Sequence, residues 1–412
     1  MKRVVVTGLG MISPLGHNVY DTWEAVKAGR SGVAPITLYD TAGHNVRIAA
    51  EVKDWNPVQY MSAKDVRRRD RHQQFIVKAA QEAVAAAGFV VDENQPERSG
   101  VIVGSAVGGV SSYYDEAMML FETGDIRRIT PFGIPMLMVN GGSDIVSIDT
   151  GAMGPSYVPV SACATGADCI GHAFDLIRMG RLDQALAGAG EAPIFPMGVA
   201  AFDRVGAVSR LNDTPETASR PFDKDRAGLV FGEGAGVLVL EELEHARTRG
   251  ANILAEIIGY GATSDAFHLT APHPDGKGAS QALVQALRDA RLNPEDIHYI
   301  NAHGTATDLN DPMETKAVKR VFGEYAYRVP MSSTKSMTGH CMGATAAMEA
   351  AFAVLALRDQ IAPPTCNLQE PDPDCDLDYV PNEARPLAMR NVMSNSFGFG
   401  GHNVSLIISA FE

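Results

Sequence analysis

One cysteine, two histidines and a lysine lie in short stretches rich in glycine, serine and threonine. Cys163 sits in Val158-Pro159-Val160-Ser161-Ala162-Cys163-Ala164-Thr165-Gly166. The apolar run before it reads as a strand. From 167 to 179, Cys169, Ile170, Ala173, Phe174 and Ile177 recur at helical spacing. A thiol is therefore expected at a helix N-terminus, where unpaired N–H groups and the helix dipole favour the nucleophilic thiolate. Taken alone, a cysteine of this kind is more often a buried structural one.

Three further stretches change that balance. His303 lies in Asn301-Ala302-His303-Gly304-Thr305-Ala306-Thr307, where a strand runs into a loop. Lys335 and His340 share Ser332-Ser333-Thr334-Lys335-Ser336-Met337-Thr338-Gly339-His340, ahead of a long apolar helix. The fourth is Asn395-Ser396-Phe397-Gly398-Phe399-Gly400-Gly401-His402. Each has a structural explanation by itself: a satisfied core histidine, a surface lysine, a glycine-kinked hairpin. A cysteine and two histidines at strand-to-helix junctions favour one convergent site.

The elements that must position these residues occur twice. Phe231-Gly232-Glu233-Gly234 before an apolar run is echoed by Phe397-Gly398-Phe399-Gly400 before another. A helix over 73–87 precedes a strand over 100–103, and a helix over 279–290 precedes a strand over 298–302. A strand-turn-helix unit follows in each half, around Cys163 and around 335–357, and each half then closes with a glycine-containing hairpin. Alternating strands and helices imply parallel sheet covered by helices. The expected organisation is a duplicated α/β fold with halves at 1–252 and 253–412, joined near 250–257. Thr7-Gly8-Leu9-Gly10 follows a strand but lacks the third glycine and the acidic partner of a dinucleotide loop, so nicotinamide binding is not expected.

Composition excludes some function classes. The 412 residues carry a net charge of −14, which disfavours a nucleic-acid partner. Five cysteines without disulfide-framework spacing fit a reducing compartment, and no apolar run reads as a signal peptide or membrane span, so a cytoplasmic protein is expected. Against the acidic average, Lys64, Arg67, Arg68, Arg69 and Arg71 form a basic run, with Arg127 and Arg128 as a second patch. These are either a solvated helix face or a dock for an acidic partner.

The motifs around Cys163, His303, Lys335, His340 and Phe399 together resemble those of the β-ketoacyl-acyl-carrier-protein synthases, most closely the synthase II type, over essentially the whole chain. The resemblance implies the thiolase fold: two βαβαβαββ halves in a five-layer αβαβα sandwich, usually a homodimer. It implies an acyltransferase that condenses malonyl carrier protein with an acyl group held on Cys163, with loss of carbon dioxide and no metal or redox cofactor. His303 and His340 would stabilise the enolate, Lys335 would polarise the histidines, and Glu349 and Asp311 would support them. The backbone N–H groups of Cys163 and Phe399 would form the oxyanion hole, with Phe399 also a gate. Thr305, Thr307 and Thr270 would meet the pantetheine arm. Phe202, Gly108 and Ile134 would line the acyl tunnel, Ile134 from the partner subunit, and the basic patches would receive acyl carrier protein.

Three features depart from the family pattern: His402 after Gly-Gly, Gly133 after Phe132, and Cys341 beside His340. A degradative thiolase would need a second cysteine in the C-terminal hairpin, which has none. Chalcone-type and initiating synthases use one histidine and one asparagine, and a non-catalytic chain-length partner lacks the nucleophile. A polyketide ketosynthase with the same Cys-His-His set remains the alternative.

Overall fold

The computed structural model describes residues 1–412. Nine strands form its main sheet: β1 (Val4–Ile12), β2 (Ser99–Gly104), β3 (Gln184–Glu191), β4 (Gly234–Glu242), β5 (Ala255–Ser264), β6 (Tyr299–Asn301), β7 (Met331–Ser332), β8 (Asn391–Gly398) and β9 (His402–Ser409). Their order is β2-β3-β4-β1-β5-β9-β8-β6-β7. β2 pairs parallel with β3, and β6 parallel with both β8 and β7. The two half-sheets join only where Val4–Val6 of β1 pair antiparallel with Ala255–Ile257 of β5.

The six longest helices are α1 (Arg71–Ala87), α2 (Val110–Thr123), α3 (Thr165–Arg178), α4 (Lys277–Ala290), α5 (Asn310–Phe322) and α6 (Met342–Asp359). α1 covers the outer face of β1, β3 and β4, while α4 covers β5 and β9 and carries α5. Between the half-sheets lie α3 and α6, packed on each other and on strands of both halves. The result is the expected thiolase-fold sandwich of helix, sheet, helix, sheet, helix.

Local sequence explains these positions. α1 starts at a capping box, with Asp70 and Gln73 satisfying each other's backbone N–H groups, and ends at Gly88 in the left-handed conformation. α6 is buried from Met342 to Leu357 and is apolar on every side except at Thr345 and Glu349, as suits a helix covered on both sides. The predicted buried face of α3 is buried residue for residue, including Cys169, Ile170, Ala173, Phe174 and Ile177.

Two expectations are corrected. The segment before Cys163 is not a strand: one bridge ties Ser156 to Val101, after which no ladder continues. It runs beside the edge strand β2, and Pro155 and Pro159 cannot donate to a ladder. Nor does the first half close with a hairpin. Phe231 and Gly232 lead into β4, which pairs antiparallel with β3 and β1, whereas Phe399-Gly400-Gly401 do form the tight turn between β8 and β9. Gly8 and Gly10 lie inside β1, not in a phosphate loop.

Gly10 sets the approach of α1, because a Cβ there would come within 1.8 Å of the Ala79 carbonyl oxygen. Gly10→Ala is expected to destabilise the fold by about 1–3 kcal/mol through overpacking. Gly133→Ala, whose Cβ would meet only Thr130 at 3.7 Å, should change stability by less than about 0.5 kcal/mol. Chemical denaturation of both variants checks the difference.

Candidate active site

The ends of α3 and α6 bring the nucleophile and one histidine together. A tight helical turn, Ala162–Ala164, precedes α3 and carries Cys163. Ala162 takes φ +52°, a strained conformation for a residue with a side chain, and such strain clusters at active sites. His340 sits two residues before α6, and its Nε2 lies 3.1 Å from the Cys163 Sγ. The Nδ1 of the same ring faces the Thr345 hydroxyl at 3.2 Å. The backbone N–H groups of Phe399 and of Cys163 itself are directed at the sulfur.

His303 completes the group from the second half. Its ring centroid is 5.6 Å from that of His340, with the rings nearly perpendicular. Its Nδ1 has no partner within the protein. Beneath the histidines, Lys335 Nζ donates to Glu349 Oε1 at 2.6 Å, and both side chains are about 1% exposed. Burial pushes Glu349 up to about 7 although the Lys335 charge pulls it down.

A pocket of about 330 Å³ opens above Cys163. Phe202, Thr270, Thr305, Thr307, His303, His340 and Phe399 all line it. The Thr305 and Thr307 hydroxyls are 2.9 Å apart. Phe202 stacks on Phe399 with centroids 5.8 Å apart. Gly108 and Ile134 do not line this pocket. Gly108 is buried against Leu137 and Val139, while Ile134 is 65% exposed. Asp311 also lies outside it, accepting the backbone N–H groups of Phe222 and Ala306.

The electrostatics differ from the thiolate expectation. Burial pushes the Cys163 thiol up to about 11, although the Lys335 charge and the two backbone N–H groups pull the other way. Desolvation outweighs the helix terminus. Burial also drives both imidazoles well below their ordinary value, and the Lys335 charge adds to this. The resting pair is a thiol beside a neutral imidazole, and each histidine keeps one N–H to donate.

The departures and the basic run are now placed. The His402 ring folds against Gly400, within the turn that carries Phe399. Cys341 is fully buried and donates to the Glu233 carbonyl. Gly133 begins a short helix, Gly133–Leu137. The basic run divides. Lys64, Arg67 and Arg68 are exposed, and Arg68 stacks over Phe132. Arg69 is mostly buried and reaches Asp149 at 3.6 Å. Arg71, 25% exposed, turns inward to ion-pair with the fully buried Glu233, so its charge is not part of an exposed patch. Arg127 is exposed and paired with Asp125, and Arg128 is exposed.

Sequence reasoning missed Glu314, which accepts the N–H groups of His303 and Gly304 from inside α5. It also missed Thr345, a polar residue in the first turn of a largely apolar helix. That exception to the pattern was its available signal.

The β-ketoacyl synthase N-terminal domain family matches residues 1–246, and the corresponding C-terminal domain family matches residues 254–369. A protein of Synechocystis sp. named 3-oxoacyl-[acyl-carrier-protein] synthase 2 is 46% identical over 411 residues, covering 100% of this chain and 99% of that one. A solved β-ketoacyl synthase from Burkholderia phymatum superposes with a TM-score of 0.92 at 40% identity, covering both chains fully. A type II polyketide ketosynthase, solved in complex with its acyl-carrier protein, gives 0.90 at 33% identity, also with full coverage.

The raised thiol value predicts the pH profile of the free protein. The thiolate fraction grows with pH until it passes the folded value, so alkylation of Cys163 by iodoacetamide should climb about tenfold per pH unit from 7 to 10. A plateau reached by pH 7 would show a preformed thiolate.

Proposed function

The chain belongs to the β-ketoacyl synthase family, and from that premise we propose that it elongates fatty acyl chains by two carbons, as a β-ketoacyl-acyl-carrier-protein synthase of type II. The observation that carries this reading is the 3.1 Å contact between Cys163 and His340, with two backbone N–H groups on the same sulfur and His303 opposite.

In this reading Cys163 attacks the carbonyl of an acyl thioester. A carbon–sulfur bond forms to Cys163 as the bond to the carrier's thiol breaks, and the cysteine proton leaves on that thiol. The N–H groups of Cys163 and Phe399 hold the oxyanion between these steps. Malonyl carrier protein enters next. Its carbon–carbon bond to the carboxylate breaks, carbon dioxide departs, and the electrons move to an enolate oxygen that His303 and His340 hold through their N–H groups. The enolate carbon then attacks the acyl-Cys163 carbonyl, a new carbon–carbon bond forms, and the released thiolate takes a proton. Burial, with the Lys335 charge adding to it, keeps both histidines neutral, and each neutral ring still has one N–H to donate. Thr305, Thr307 and Thr270 meet the amides of the pantetheine arm. Phe399 stacked on Phe202 closes the way into the acyl tunnel, with Gly108 beyond it.

The partners follow from the same reading. Acyl carrier protein binds at Lys64, Arg67, Arg68, Arg127 and Arg128, with Arg69 held back by Asp149. A second copy covers the exposed apolar side chains Phe121, Ile134, Ile148 and Met153, in a homodimer that places Ile134 against the partner's tunnel. The halves meet at about residue 252. Five free cysteines fit a cytoplasmic protein, and no helix is long and apolar enough to cross a membrane. A polyketide ketosynthase would run the same chemistry, but the greater likeness to the 3-oxoacyl synthase favours fatty acids.

Intact-protein mass spectrometry with acyl carrier protein should show one added acyl group, absent in Cys163→Ala. Acylation at Cys169 or Cys341 would contradict the assignment. His303→Ala and His340→Ala should lower carbon dioxide release from malonyl carrier protein by about a hundredfold or more, the scale of one lost oxyanion donor, with Cys163 still acylated. Carbon dioxide release at the unmodified rate would reject their role.

Reversing Arg67 and Arg68 to glutamate should slow acyl transfer from carrier protein far more than transfer from a small acyl-pantetheine thioester. That defect should shrink as salt rises, because exposed charges are screened within about 10 Å at 0.1 M. Equal effects on both substrates would make the run a solvated helix face.

A further inference from the structure

The pocket's pair of threonines is held from outside by an arginine that the chemistry above does not use. The loop from His303 to Leu309 leads from β6 to α5 with Gly304 at φ +37° and Ala306 at φ +64°. A residue with a side chain keeps such a conformation only where its surroundings over-determine it. Glu314 accepts the N–H groups of His303 and Gly304, and Asp311 accepts that of Ala306. These anchors act on the amide side, towards the His303 end.

Arg226 anchors the carbonyl side at the threonine end. Its Nε donates to the Thr307 carbonyl at 3.1 Å and its Nη2 to the Asp308 carbonyl at 3.4 Å. Its Nη1 donates to the Asp223 carbonyl at 3.1 Å and to the Asp372 carboxylate. The side chain is only 6% exposed. One residue pair along, the Gly228 N–H donates to the Ala306 carbonyl at 2.9 Å, so the same segment braces the loop twice. Asp372 is itself fixed, its N–H donating to the Phe222 carbonyl at 2.9 Å and its other oxygen accepting from the Asp374 N–H at 2.8 Å. A planar guanidinium can serve two adjacent carbonyls and a carboxylate at once, which a lysine ammonium on a flexible stem cannot reproduce.

We propose that Arg226 is a positioning residue that sets Thr305 and Thr307 for an amide-bearing thioester arm without touching the substrate. The proposal rests on the reading that the pocket takes such a thioester. Thr307 is the point of transmission: its carbonyl is held by Arg226 while its hydroxyl meets Thr305 and accepts from the Asn310 N–H at 3.3 Å. Loosening the carbonyl end should let the hydroxyl pair drift while Cys163, His303 and His340, held by other elements, stay in place.

Two thioesters of one acyl group test this: a pantetheine thioester, which has two amides, and an ethanethiol ester, which has none. Acyl transfer to Cys163 is followed by mass spectrometry for the unmodified protein, Arg226→Ala, Arg226→Lys and Asp372→Asn, with iodoacetamide alkylation of Cys163 as a second readout. Arg226→Ala should raise KM for the pantetheine thioester about tenfold, with kcat, ethanethiol-ester transfer and alkylation within about threefold of the unmodified protein. Arg226→Lys should recover part of that loss. Should Arg226→Ala fail to fold, Asp372→Asn keeps the arginine and removes its charge partner, and should raise the same KM about threefold. Equal losses on both esters, or an unchanged KM in the folded variants, would overturn the proposal. If the unmodified protein takes acyl from neither ester, the reading of the pocket itself fails, a result distinct from any ratio between variants.

Discussion

The close approach of α3 and α6 is the contact on which the rest of the site depends. A Cβ on Gly166 would come within 2.6 Å of the Ala347 nitrogen and 2.8 Å of the Gly343 carbonyl oxygen. A Cβ on Gly343 would in turn meet Thr165 at 3.1 Å and Ala106 at 2.9 Å. Two helices from different halves therefore touch backbone to backbone at their N-terminal ends. Cys163 and His340 lie just ahead of those ends, so a sulfur and an imidazole separated by 177 positions come within 3.1 Å. The sandwich around them keeps α3 and α6 from moving apart, because both are covered by sheet on two sides.

Burial has two opposed consequences in such a site. It raises the thiol and lowers the imidazoles, removing the resting ion pair that a helix terminus alone would suggest. It also strengthens every fixed dipole and charge that faces the reacting atoms. The Lys335–Glu349 pair makes sense in that light. A buried ion pair adds little to stability once its desolvation is counted. Its effect here is a fixed charge beside two histidines, which adds to burial in keeping them neutral.

Much of this was legible in the sequence, for identifiable reasons. Helical spacing fixed the buried face of α3, and small residues flanking Cys163, His303 and Lys335 marked turns where side chains converge. The misses share a cause. Whether Val158–Val160 forms a ladder depends on the sheet edge beside it, and a run of arginines does not reveal that Arg71 points into the core at Glu233. The sign of the Cys163 shift was missed because the helix terminus is local, whereas desolvation is set by everything packed around it. Arg226 and Glu314 carry no motif, since they act on backbone atoms of a loop, which for Arg226 lies 81 positions away.

The claim that the α3–α6 approach creates the active site is tested most directly by Gly166→Ala. The added methyl would sit 2.6 Å from the Ala347 nitrogen and must push the helices apart by about 1 Å to reach ordinary contact. A displacement on that scale in a reacting pair costs on the order of a hundredfold in rate. The measurement is the rate of acyl transfer from acyl carrier protein to Cys163 in the folded variant. A fall of about a hundredfold with circular dichroism unchanged is the predicted result, and transfer at the unmodified rate would contradict the account.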